Sequence, residues 1–466
     1  MKNLKKKIKG IIIILATILL VVGGAYFPPA YALSDEEAQV KGYEGMEKYP
    51  EKFDFTGIWK KPPKSLEELS HGKIKEGMVI SKDNVEGMKE ELIDLTGENI
   101  YDMVKKGMEL IIAPYKPWPV PKEFMAVTMK NKGRAIIDEA GNLRDKDGGW
   151  WKGGEPFFDL KEDDPQAGIK AMYNQFHVYD GDDFTHDWVN MNYIASDGHT
   201  EREVYMSWDR LFLTSREIKD PKPTYDEKYK DIFFKELVYV QDPFDLRGFG
   251  SLTFRFNDQT KSDDSFSYIP AMRRVRRLTS GQRFDAFVGC DSSIGDFRCL
   301  DVPLGLWNWK LIKVKPKLSP FYFSDFITEN KDAVRKHLAS VGFKFPKGNW
   351  RLWPEVWVLE ATPKKRSDCP IYSKKVYWVH GGCWKSGMGV AYDLQGKLWK
   401  TTQNYWYGYG DGKILDLLTH FENDYYTYDH QIDHSSPWNI DLPHRKFNYG
   451  FTPERFSTKY LQRYGH

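Results

Sequence analysis

From about Ala171 onward the chain is a succession of short β-branched and aromatic runs cut by Asp-Gly turns, and no other feature restricts its fold so strongly. Phe176 with Val178, Trp188 to Tyr193, Val204 to Met206 and Leu237 to Val240 read as strands, with Asp180-Gly181 and Asp197-Gly198 as breaks. Breaks every eight to fifteen residues or so are the rhythm of an antiparallel meander. Further strands are predicted at Leu252 to Phe256, Phe266 to Leu278, Trp307 to Val314, Val356 to Ala361, Lys375 to Val379, Gly387 to Asp393 and Lys397 to Thr402. Two late helices are predicted. One runs from about Thr328 to Ser340; the other starts with Thr452 as N-cap and Pro453 at the first helical position, with Phe456, Tyr460 and Tyr464 on one face. No tandem repeat or coiled coil is visible, which disfavours a solenoid or propeller. The expected class is mainly β (α+β): an open, twisted antiparallel sheet with a few helices on one face.

Two stretches precede that region. Residues 1–32 carry Lys2, Lys5, Lys6, Lys7 and Lys9, then an apolar run from Ile11 to Val22, then the small-residue site Ala30-Tyr31-Ala32. This is the order of a signal peptide, expected to be cleaved after Ala32 and to deliver the protein to the periplasm. The competing reading is a retained anchor helix, since Ile11 to Phe27 approaches the roughly 17 residues that cross a bilayer. Residues 33–170 are irregular, with Pro114, Pro117, Pro119 and Pro121 in one stretch and Gly148, Gly149, Gly153 and Gly154 in another. They should wrap a core formed by residues 171–466 more than build one. One helix is predicted there, from Thr96 or Gly97, with Ile100, Met103, Val104, Met108 and Ile111 at helical spacing and Pro114 as its stop.

Loss of residues 1–32 would take five of the 68 basic residues and none of the 66 acidic ones, turning a formal charge of +2 into −3. A near-neutral chain gives no electrostatic case for nucleic acid. The four cysteines form two local pairs, Cys290 with Cys299 and Cys369 with Cys383. In an oxidising compartment four cysteines allow three pairings, and bridges within the two near-neighbour pairs are the expectation. No C-x-x-C is present to favour a metal.

Signatures of catalysis are sparse. There is no G-x-S-x-G elbow, P-loop or dinucleotide fingerprint. The pairs Asp163-Asp164, Asp182-Asp183 and Asp263-Asp264 sit in predicted turns, where short carboxylates cap backbone. The best enzyme candidate is Tyr428 to His434 with His444 beyond it: His430 and His434 at i, i+4 could ligate a metal if helical, but Ser435-Ser436-Pro437 argues for a loop. No metal or other cofactor is expected.

Arginines and aromatics carry more. In Arg273 to Leu278, Arg273, Val275 and Arg277 share one strand face while Arg274, Arg276 and Leu278 share the other. Both faces carry guanidinium groups, and at least one pair should meet acids, carbonyls or a ligand head group, with a structural ion-pair role the first expectation. A ligand there would be a greasy molecule bearing phosphate, sulfate or carboxylate. Aromatic residues make 15% of the chain, and Trp307, Trp309 and Trp357 could line a wide cavity or simply pack between sheet and helices.

Three stretches resemble a known family. Gly154-Glu155-Pro156-Phe157, continuing through Asp164-Pro165-Gln166-Ala167-Gly168 to Asn174, resembles a "G-x-P-F, D-P-x-A-G, W-N" signature, with Tyr173 in place of tryptophan. Tyr268 to Leu278, followed by Asp285, Gly289, Asp291, Asp296 and Phe297, resembles a "Y-x-P-x-x-R-R-V-R-R" strand and the "G-x-D-x-x-x-x-D-F" turn after it. Val356 to Ala361, Pro370 to Lys375 and Ala391 to Lys400 resemble paired C-terminal strands, and Phe451 to Glu454 the start of a last helix. The family is a Gram-negative domain-of-unknown-function family often labelled outer membrane lipoprotein-sorting protein. It is similar in its core to the carriers LolA and LolB, which implies a curved, incomplete antiparallel β-barrel with covering helices over an apolar cavity. The resemblance further implies a periplasmic binding or carrier protein for a lipid, lipoprotein or other hydrophobic compound, with a resistance-nodulation-division type transporter as a partner. Tyr268, Arg273, Arg274, Arg276, Arg277, Trp307, Trp309 and Trp357 are the candidate ligand-binding residues. Two alternatives remain: a metal-dependent hydrolase using the His430 to His444 region, or an envelope scaffold without a ligand.

Overall fold

All but the first of the expected strands form, and the strands are longer and more numerous than the apolar runs that announce them. In this computed structural model the described residues are 64–115, 121–320, 344–410, 417–440 and 445–464. All belong to one compact unit, Lys52–His466. Residues 1–32, the helix expected from Thr328 to Ser340, and His444 lie outside them.

Four short strands come first: β1 (Val79–Ile80), β2 (Leu110–Ile112), β3 (Ala135–Ile137) and β4 (Leu143–Asp145). A meander follows, of β5 (Asp183–Ile194), β6 (Thr200–Phe212), β7 (Ile232–Asp242), β8 (Gly250–Phe256), β9 (Asp264–Ile269) and β10 (Arg274–Leu278). Then come β11 (Trp307–Ser319), β12 (Gly348–Pro363), β13 (Lys374–His380), β14 (Ser386–Tyr392), β15 (Leu398–Gly410), β16 (Leu417–Asp429), β17 (His434–Ile440) and β18 (Arg445–Phe447). The α-helices are short: α1 (Leu66–Leu69), α2 (Lys89–Thr96), α3 (Glu98–Lys105), α4 (Lys122–Asn131), α5 (Ala167–Phe176) and α6 (Thr458–Tyr464). Sixteen strands make one sheet in the order β1-β2-β12-β13-β14-β15-β16-β17-β5-β6-β7-β8-β9-β10, with β11 on β12 and β18 on β5. Pairing is antiparallel except for β2 beside β12. Among the described residues β10 pairs only with β9. The sheet stays open, an incomplete barrel.

Four local readings are corrected. The strand expected over Phe266 to Leu278 is two strands, because Pro270–Met272 forms a 3-10 turn and Arg273 takes a left-handed φ of 49°. Phe176 ends α5 rather than starting a strand, since Ala167 to Phe176 buries a helical face containing Ala171 and Met172. Helix α3 stops at Lys105, and Ile111 belongs to β2. The Thr452-Pro453 start makes only a 3-10 turn, Pro453–Arg455, before α6 begins at Thr458.

Along strands such as β7, β12 and β14 both faces of the sheet are buried, and these strands read as near-continuous apolar runs. Val356 and Val358 of β12 pack with Leu92, Leu95, Ile100 and Met103 from α2 and α3. Trp357 and Leu359, one step out of phase, pack with Ala171 and Met172 of α5 and with Leu300 and Val302. Those last two residues belong to a segment of 3-10 turns, residues 279–306, that follows β10. Capping boxes at Thr279 with Gln282 and at Ser293 with Asp296 favour turns over strand here.

This inner segment proves that the sheet curls. Lys375 of β13 donates from Nζ to Cys299 O at 2.7 Å, and Arg255 of β8 donates from its guanidinium to Asp301 O at 3.3 Å. In the sheet order these strands are eight steps apart, about 38 Å if flat at about 4.8 Å per step. Two residues of chain with both side chains extended and their hydrogen bonds reach at most roughly 31 Å. The sheet therefore bends around the segment.

Candidate functional site

Three carboxylates at intervals of five residues, Asp291, Asp296 and Asp301, fasten the inner segment to the wall around it. Asp291 accepts from His434 Nδ1 at 2.6 Å and Ser436 Oγ at 2.7 Å, both on β17. Asp296 takes Lys375 Nζ at 2.7 Å and Tyr372 Oη at 3.0 Å. Its side chain and that of Lys375 are both 0% exposed. Asp301 lies between Arg210 (2.7 Å), Arg255 (2.9 Å) and Arg283 (3.5 Å), whose charges Glu236 and Asp263 complete into a buried set of three cations and three anions. Burial by itself would raise the Asp301 carboxyl, but Arg210, Arg255 and Arg283 overcome it and hold it well below the usual carboxylate range. The readable signal for these acids is Arg210 and Lys375, cations at buried positions within strands, which need buried partners.

The segment fills the interior. Phe287 and Phe297 pack with Trp208, Tyr425 and Trp438 from the strands, and Phe284 meets Trp307 at a tilt and Tyr372 edge-on. The central apolar hollow implied by the resemblance is thus occupied by the chain's own residues. Trp307 and Trp357 are buried in the cluster under α5 and Trp309 is half-buried against it, while Tyr268 is buried among Leu252, Phe456 and Leu461 on the opposite face.

The expected bridges are corrected as well: none of the four cysteines forms a disulfide. Each expected pair is divided between different core clusters. Cys290 packs with the β5–β7 side and Cys299 with the β13 side; Cys369 lies beneath α5 and Cys383 with the N-terminal helices. Burial pushes the thiols of Cys290 and Cys383 up to about 12 and that of Cys369 to about 11.

What the segment leaves open is a groove at the free end of the sheet, between β8–β10 and residues 282–294, with about 740 Å³ of unfilled space that includes open solvent. Phe249, Ile269, Leu278, Val288 and Ile294 are half-buried along it and Phe287 is buried. Ser251, Ser267, Gln282, Asp285, Arg276 and Arg277 supply its polar edge. The structure therefore brings Arg276 and Arg277 to the groove and leaves Trp307, Trp309, Trp357 and Tyr268 elsewhere. Arg273 and Arg274 are exposed on the same edge, and Arg277 pairs with Asp264. Val288 holds a left-handed φ of 43°, a strained state for a β-branched residue, of order 1–3 kcal/mol.

The histidines serve separate contacts. His430 to Asp433 form the tight turn joining β16 to β17, so this stretch is a loop and not a helix. His430 Nδ1 meets Asp102 at 2.9 Å and Nε2 meets Thr401 Oγ1 at 2.8 Å, whereas His434 turns to Asp291 and to Glu201 at 3.5 Å. Among the described residues no group of three or more His, Cys, Asp or Glu is placed to hold a metal ion. Of the turn carboxylates, Asp182 accepts the backbone N–H groups of Glu217 and Ile218 at 2.7 and 2.8 Å, a cap; Asp263 instead pairs with Arg255 and Arg283.

The first motif also has a structural role. Asn174 of α5 accepts from Phe157 N at 2.8 Å and donates to Phe157 O at 3.0 Å, while Glu155 accepts from Trp384 Nε1 at 2.5 Å. Burial pushes the Glu155 carboxyl from 4.5 up to about 8, and Asp159 adds to this against Lys132. The folded state then binds a proton that the unfolded chain releases, so this contribution is complete below about pH 4.5 and is lost as pH rises towards 8. Glu155→Gln should flatten the fall in melting temperature between pH 5 and 8. An unchanged slope would place the titration on Glu217 or Asp183, whose buried carboxyls are also raised.

An open antiparallel sheet bent around an ion-pinned inner segment, with an apolar groove at its free edge, defines an incomplete-barrel protein. The chain belongs to the family described as Protein of unknown function (DUF1329), whose family model matches residues 79–462. Among solved structures it is similar to a domain described as an outer membrane lipoprotein-sorting protein from Vibrio parahaemolyticus, at 17% identity and a TM-score of 0.45, covering 64% of this chain and 100% of that one. A DUF1329 family protein from Desulfovibrio piger has 16% identity and a TM-score of 0.45, with 64% and 98% covered. A LolA superfamily protein from Nitrosomonas europaea has 16% identity and a TM-score of 0.36, with 61% and 94% covered. No curated protein matches the chain. Among the described residues no helix is long and apolar enough to cross a membrane.

Proposed function

We propose that the protein is a periplasmic binding or carrier protein for a lipid or other hydrophobic compound, and that the groove beside β8–β10 is its site. The observation that carries this reading is the half-buried apolar floor, Phe249, Ile269, Leu278, Val288 and Ile294, which stays open to water beside the aromatic-packed inner segment. Covering apolar surface with a greasy ligand contributes about 25 cal/mol per Å². A resistance-nodulation-division type transporter, implied by the family resemblance, would receive or supply the cargo.

The test is direct. Protein purified from its native envelope should yield co-purifying lipid by mass spectrometry, and the lipid-stripped protein should bind a fluorescent apolar probe with saturation. Absence of both would overturn the carrier reading and leave the scaffold alternative.

A further inference from the structure

We infer that the groove takes a single-chain amphiphile with an anionic head, seated on Arg276 and Ser267. This rests on the binding reading above and names its ligand class. The strand register places Ser251 of β8, Ser267 of β9 and Arg276 of β10 directly opposite one another, in a polar row across three adjacent strands. All three line the groove, beside the apolar floor. Ser267 is 5% exposed, and its hydroxyl has no hydrogen-bond partner among the described residues. A buried hydroxyl left in that state is costly, and a ligand group bonding it in the groove would relieve the cost.

Charge points the same way. Arg276 is exposed and has no ion-pair partner among the described residues, whereas its neighbour Arg277 is held by Asp264. Asp285 also lines the groove. Arg273, Arg274, Arg276 and Arg277 together outnumber Asp264 and Asp285, leaving this edge cationic. The guanidinium fork fits a carboxylate or a phosphate alike. A single apolar floor beside one polar row matches a ligand with one chain and one head.

The experiment uses the full chain and cis-parinaric acid, a fluorescent fatty acid, with oleate, oleoyl-lysophosphatidate and neutral monoolein as competitors. One or both anionic competitors should displace the probe about tenfold better than monoolein, and the stronger of the two distinguishes a carboxylate from a phosphate source. Arg276→Gln and Ser267→Ala should each weaken the anionic competitor several-fold and leave monoolein within about twofold, with the melting temperature monitored in parallel. Equal competition by monoolein, or anion binding unchanged in Arg276→Gln, would overturn the head-group assignment while the carrier reading survives. If no ligand binds the unmodified protein, both fall.

Discussion

Replacing Asp301 with alanine should cost about 3–5 kcal/mol, the range seen when one member of a buried ion network is removed. Its carboxylate faces Arg210, Arg255 and Arg283, and only Glu236 and Asp263 would remain against three buried guanidinium groups. The loss reads out as a lower urea midpoint. A control is Asp264→Asn, which removes the exposed pair with Arg277 and should stay within about 1 kcal/mol. Equal midpoints for the two variants would show that the inner segment is held by its aromatics and not by charge. The pH dependence has the opposite sign to that of Glu155. Because the Asp301 carboxyl is lowered in the fold, its stabilisation is present above the unfolded value of about 4 and is lost as pH falls towards the folded one.

Gly154→Ala should destabilise by about 2–5 kcal/mol, and a comparison isolates the cause. Gly154 and Gly396 have nearly the same left-handed φ, 77° and 78°. A side chain at either carries the left-handed penalty of about 1–2 kcal/mol. At Gly396 nothing lies within 4 Å of the added Cβ, but at Gly154 it would meet the Thr128 backbone nitrogen at 2.6 Å and Cα at 2.7 Å. Only there must helix α4 be pushed away, an overpacking cost of about 1–3 kcal/mol more. Urea midpoints of the two variants give the difference directly. Equal losses would mean that α4 yields freely and that the close approach has no energetic weight.

These two sites show how differently the two halves of the problem were written in the chain. Gly154 sits in a stretch that already resembled a family signature, and the structure gives it a reason: the turn must pass against α4, and Asn174 must reach Phe157. The strand runs were equally readable, because a buried sheet needs β-branched and aromatic residues on both faces. Arg276 and Arg277, guanidinium groups on both faces of one strand, border the groove, whereas Trp307, Trp309 and Trp357 sit in or against a packed core. Nothing in an isolated tryptophan tells whether its other side will be filled by protein.

Local composition determined the strands, their Asp-Gly turns and the resemblance to a family, since those depend on neighbours a few residues apart. Tertiary structure alone decided that residues 279–306 turn inward and that the expected cysteine pairs fall into different clusters. It also decided that the open apolar surface lies at the sheet's edge instead of its centre. Each of these depends on which distant groups meet, as Asp301 meets Arg210 and Arg255, and buried charge is tolerated only where that meeting occurs.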